Sequence, residues 1–132
     1  MENLRALSIR QPYAEEILRG WKPYEQRFQP TNVRGRVYIY ASLTLGDCGY
    51  AELHRILHTL PRGKLVGTVE IVACEDLGDE TFAWWLANPK RLRRPVKPLT
   101  HPQPVWFYPF AEIGKGKAKK RRTSTRRLSG RQ

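Results

Sequence analysis

Apolar and polar positions change places quickly along this chain, which predicts many short elements. Leu7-Ser8-Ile9 alternates as a short strand does. Tyr13, Ala14, Ile17 and Leu18 then recur at helical spacing, with Glu15, Glu16 and Arg19 on the other face. Pro12 suits a first helical position and Gly20 suits a stop, so the spacing predicts a helix over 12–19. Trp21 to Pro23 reads as a turn, and Tyr24 to Phe28 as a short strand. In that strand Glu25 and Arg27 share one face, and Tyr24, Gln26 and Phe28 share the other.

The clearest strand is Arg36 to Ser42, rich in β-branched and aromatic residues. Asp47 is a candidate cap for a helix carrying Tyr50, Leu53, Ile56, Leu57 and Leu60, which Pro61 and Gly63 end. Leu65 to Cys74 alternates as a second long strand, where Gly67 allows a bend or a close backbone approach. A further short helix is expected over Glu80 to Ala87, stopped at Asn88-Pro89. Residues 90–104 carry five Lys or Arg and four Pro and read as loop. Val105 to Tyr108 is a last strand. Four or five strands, two or three short helices and no βαβ alternation predict an α+β fold, a small β-barrel with helices at its ends.

Charge divides the chain in two. Residues 115–132 hold nine Lys or Arg and no acid, and residues 1–114 hold fifteen against twelve Asp or Glu. We therefore expect a folded domain over 1–112 and a basic, disordered arm over 113–132 that attracts polyanions with little sequence preference. A hydrophobic content of 40% fits a globular domain, and no apolar run nears the ~20 residues of a spanning helix. The first residues lack the apolar core of a signal peptide, so a cytoplasmic monomer with no membrane association is expected. Cys48 and Cys74 have no CxxC partner, and His54 and His58, four apart, have no evident third ligand, so no metal or cofactor is expected.

Candidate chemistry concentrates in Gly20-Trp21-Lys22-Pro23-Tyr24-Glu25-Gln26-Arg27. With Leu7-Ser8-Ile9-Arg10-Gln11-Pro12-Tyr13-Ala14 upstream and Arg34 to Ser42 downstream, this stretch resembles the ASCH domain, named for homology to activating signal cointegrator. Gly67-Thr68-Val69-Glu70-Ile71, the Asn88-Pro89 turn and the strand at Trp106 extend the resemblance over about residues 4–110. It implies a barrel related to the PUA fold, with helices beside a cleft that holds Lys22, Glu25 and Arg27. It also implies an RNA, DNA or nucleotide-like ligand.

Some small relatives hydrolyse the acetyl amide of 4-acetylcytidine with a Lys, Thr and Glu set. By motif the lysine falls on Lys22 and the glutamate on Glu70, but the threonine position holds Glu25. A carboxylate can assist a water but not do hydroxyl chemistry, so a hydrolase would have to work through Lys22, Glu25 and Glu70.

As a binding site, Lys22, Glu25 and Arg27 would hold a phosphate or base edge; the plainer reading is a structural ion pair. Ser8, Arg10 and Gln11 would face the same cleft or serve local turn chemistry. Glu70 would pair with Lys22 or Arg27, or simply face outward. Trp21 is the leading candidate for stacking on an unpaired base. Arg91 and Arg94 belong to a basic rim that would track a phosphate backbone or be a solvated loop.

Overall fold

Two long antiparallel strands carry the fold in the computed structural model, which describes residues 3–47 and 49–110. The elements in order are β1 (Ala6–Gln11), α1 (Tyr13–Leu18), β2 (Tyr24–Arg27), β3 (Gly35–Leu45), α2 (Ala51–Arg55), β4 (Lys64–Asp76), β5 (Phe82–Val96) and β6 (Trp106–Phe107), with a 3₁₀ turn at Leu57–Thr59. They form one six-stranded sheet in the order β2-β5-β4-β3-β1-β6. Only β1 and β3 run parallel. No helix among the described residues is long and apolar enough to cross a membrane.

The structure is mostly sheet, with six strands and two short helices, which is compatible with the expected α+β class, but the sheet does not close into the expected barrel. Its two edges, β2 and β6, are joined by side chains instead. Trp84, beside β2, stacks on Trp106 of β6 with planes 5° apart and centroids 5.9 Å apart. Arg27 Nη2 donates to the Ser8 carbonyl of β1 at 2.9 Å, and Trp84 Nε1 donates to the Gln29 carbonyl at 2.9 Å.

The alternation of β3 explains why both sheet faces are covered. Val37, Ile39 and Ala41 point into the main core with Leu7, Ile9 and Ile71. Tyr38 and Tyr40 point the other way, onto Leu65 and Phe107. Ile17 and Ala14 seat α1 on the main core.

The expected helix over 80–87 and the first half of the expected loop over 90–104 are replaced by β5, which runs from Phe82 to Val96, while 97–104 is loop as expected. The aromatic and branched run Phe82 to Leu86 suits a pleated surface better than a helix, and its cross-strand partners on β4 decide the matter. Asn88-Pro89 does not end the element. It sits where the β4–β5 register shifts, with Asn88 at φ 53°. A bulge accepts both the left-handed Asn and a Pro with no N–H to give. The expected long helix from Tyr50 is only the short α2 followed by the 3₁₀ turn.

The polar face of α1 is not solvated as its spacing suggested. Glu15 and Glu16 are each only 4% exposed. Glu15 receives both Arg91 Nη atoms at 2.9 Å and Arg19 Nε at 2.7 Å, and Glu16 accepts the Tyr50 N–H at 3.0 Å. These bonds tie α1 to β5 and to the start of α2. Gly67 makes the same packing possible: a Cβ there would meet the Lys90 carbonyl at 2.6 Å and the Leu18 side chain. The basic arm, Cys48 and the end of the expected 1–112 domain lie outside the described residues.

Two predictions follow from this packing. Gly67→Ala should destabilise the fold by about 1–3 kcal/mol through overpacking, read as a lower urea midpoint with unchanged slope. Burial alone would raise the Glu15 pKa, but hydrogen bonds and charge from Arg91 and Arg19 hold it below its ordinary 4.5. Its contribution is therefore full above that value and lost as pH falls through the lower, folded-state pKa. Glu15→Gln should lower stability at pH 7 by about 2 kcal/mol and flatten the loss of thermal stability below pH 4.5; an acid limb as steep as the parent's would refute the assignment.

Candidate nucleic-acid interface

The open seam between β2 and β1 is a cleft of about 660 Å³. β2 supplies Glu25 and Arg27, with Phe28 just beyond it, and β1 supplies Ser8 and Arg10. Tyr13 from α1, Tyr40 and Ser42 to Thr44 of β3 and residues 102–105 complete the wall.

Glu25 and Arg27 lie on one face of β2, as strand alternation requires. Arg27 Nε donates to Glu25 Oε2 at 2.9 Å, and Arg27 Nη2 lies 2.8 Å from the same oxygen. Lys22 Nζ is 3.8 Å from Glu25 Oε1 and lies over the Tyr13 ring at 5.5 Å. The Arg27 guanidinium also covers Trp84 at 5.4 Å. The two-pronged edge of Arg27 is thus occupied by Glu25 and by the Ser8 carbonyl, and only Nη1 stays without a bond among the described residues.

Arg10 differs from Arg27, the other arginine of the cleft. It is exposed, and no ion pair, hydrogen bond or ring contact engages it among the described residues. Ser8 keeps its hydroxyl on the Gln103 carbonyl at 2.9 Å, which ties the 102–105 wall to β1. Tyr40 is 5% exposed, and burial raises its phenol pKa, so it stays a neutral hydrogen-bonding group at the cleft floor. Two large apolar side chains at the mouth are bare: Phe28 is 82% exposed and Leu43 68%.

The structure brings together Ser8, Arg10, Glu25 and Arg27, with Lys22 bonded at the edge. It does not bring in the others. Gln11 is fully buried, accepting from the Glu15 N–H and donating to the Pro61 carbonyl, both at 3.0 Å. Trp21 packs on Tyr50 at 4.9 Å with Arg19 over its ring, away from the cleft lining. Arg91 is held by Glu15, and Arg94 is exposed outside the cleft lining. Glu70 bonds Arg36 at 2.9 Å and Asn88 at 3.3 Å rather than Lys22 or Arg27. Arg36 lies four residues from Tyr40 on β3, roughly 13 Å along the strand. Among the described residues no three His, Cys, Asp or Glu side chains gather as a metal site.

Phe28, Leu43 and the 102–105 wall were missed from sequence. Phe28 carried one usable signal: a large aromatic on the strand face opposite Glu25 and Arg27, next to a turn.

A family model described as the ASCH domain matches residues 7–109. This is a PUA-like family often linked to RNA binding. No curated protein matches the chain.

The two cleft arginines should separate by stability. Arg27→Ala leaves Glu25, 8% exposed, with only the longer Lys22 contact and should cost about 2 kcal/mol in urea unfolding. Arg10→Ala should stay within ±0.5 kcal/mol of the parent, as for a surface change. Equal losses would contradict the division of roles.

Proposed function

Since the chain belongs to the ASCH-domain family, we propose that it binds single-stranded nucleic acid, RNA in the first place, by taking one unpaired nucleotide into the seam cleft. The observation that carries this reading is the unneutralised Arg10 beside the bare Phe28 in one concavity. A guanidinium with all its donors available suits a phosphate. An exposed aromatic ring suits the face of a base, a contact worth about 1–3 kcal/mol where measured by alanine substitution.

Arg27 and Glu25 serve this site by shape. Their ion pair holds β2 against β1 and sets the width between Phe28 and Arg10. Lys22 and Arg27 outweigh Glu25, so the cleft keeps positive potential before Arg10 is counted. The nine cations of residues 115–132 add attraction of long range and low selectivity.

In fluorescence anisotropy with an eight-nucleotide RNA, Arg10→Ala and Phe28→Ala should each weaken binding about 5- to 30-fold while leaving the thermal midpoint unchanged. Annealing the complement should weaken binding to the parent, because a paired base cannot enter the cleft. Parent-like affinity in both variants would sink the cleft as the ligand site. A single-stranded DNA of the same sequence shows whether the 2′-hydroxyl matters.

A further inference from the structure

The β4–β5 hairpin separates its charges from end to end. Its turn carries Glu75, Asp76, Asp79 and Glu80. Its open end carries Lys64 at the start of β4 and Arg93, Arg94 and Lys97 at the end of β5. β4 spans 13 residues, so the two ends lie about 40 Å apart. That is several times the ~8 Å screening length at physiological salt, and the acidic turn does not neutralise the basic end.

Strand register puts this basic end beside the cleft. Lys64 pairs with Ala41, next to the cleft residue Tyr40, and Leu65 pairs with both Tyr40 and Val96. Arg62 Nη1 donates to the carbonyl of Leu43, itself a cleft residue, at 3.3 Å. Arg62, Lys64, Arg94 and Lys97 are all exposed, and none is in an ion pair among the described residues. Among the described residues, Glu15, Glu25 and Glu70 are taken by arginines and Glu16 by a backbone N–H, and the two acids outside the turn that remain, Asp47 and Glu52, follow the end of β3 in sequence.

We infer that Arg62, Lys64, Arg94 and Lys97 form a phosphate track leading out of the cleft, so that the ligand is a single-stranded oligonucleotide whose flanking backbone crosses the sheet end. This rests on the nucleotide reading of the cleft. From β1, which carries Arg10, to β5 is three strand spacings, ~14 Å, too far for one phosphate to serve both. A free nucleotide would touch the cleft alone, whereas a strand leaving past Leu43 meets Arg62, then Lys64, then the end of β5.

The test uses the full chain and a fourfold variant, Arg62→Ser with Lys64→Ser, Arg94→Ser and Lys97→Ser. Each is titrated with the four ribonucleoside 5′-monophosphates and with an eight-nucleotide single-stranded RNA across a salt series. The variant should bind monophosphates within twofold of the parent but the RNA at least tenfold more weakly at low salt. Its slope of log affinity against log salt should fall by about 2.8, the value for four phosphate contacts on a single strand. The basic arm is present in both proteins and cancels from the difference. Unchanged RNA affinity and slope would overturn the track while leaving the cleft standing. An equal loss of monophosphate and RNA binding would overturn it too, because the four residues would then be acting on the cleft itself. If the parent binds neither probe, the nucleotide reading falls and the track falls with it.

Discussion

One guanidinium closes a sheet that its backbone leaves open. Arg27 reaches from β2 to a β1 carbonyl, binds Glu25 on its own strand and covers Trp84, which stacks on Trp106 of the far edge strand. A backbone ladder between β2 and β1 would have sealed the seam along its length. A side-chain bridge pins it at one place and leaves a concavity beside the pin. The cleft is a consequence of how the fold closes, and its residues come from both lips.

That closure fixes which charges are spent. Glu25 is nearly buried, and a carboxylate there is tolerable only with partners, which Arg27 and Lys22 provide. The same logic applies at α1, where Glu15 is buried against Arg91 and Arg19. Both acids are bound by the arginine or lysine that sequence spacing offered as a ligand group. Among the described residues, Arg10 in the cleft and the exposed cations at the open end of the long hairpin are among those with no acid in reach.

The sequence made the parts legible where local rules suffice. α1, β2, β3 and β4 follow from spacing and composition, and the shared face of Glu25 and Arg27 follows from strand alternation. It misled where long-range pairing overrides local signals. Phe82 to Ala87 carries a weak helical pattern, but nine residues of β4 have partners on β5, and the Pro-rich basic run that follows is drawn into the same strand. Gln11 and Glu15 look like surface polarity in one dimension, yet each has its hydrogen-bonding partners waiting in the interior, Pro61 and Arg91. Phe28 and Leu43 reverse the case: apolar residues that any pattern would assign to a core are left bare at the cleft mouth.

These two mismatches bear on each other. A polar group in the interior is kept because geometry needs it: the Arg27 bridge sets the seam width, and the Gln11 bonds hold the end of β1 to α1 and the Pro61 turn. An apolar ring in solvent gains nothing for the fold, since leaving a Phe side chain exposed forgoes about 1.5–3 kcal/mol of burial. Arg10 presents the same imbalance in charge. It spans no seam and neutralises no acid among the described residues, and it lines the same cleft as Phe28. Arg27 and Glu25 line the opening and also hold the fold together, whereas Arg10 and Phe28 line it with no such part. A ligand with a flat apolar face and an anionic group a few ångströms away would satisfy both of the groups that the fold leaves unsatisfied, and a nucleotide has that form.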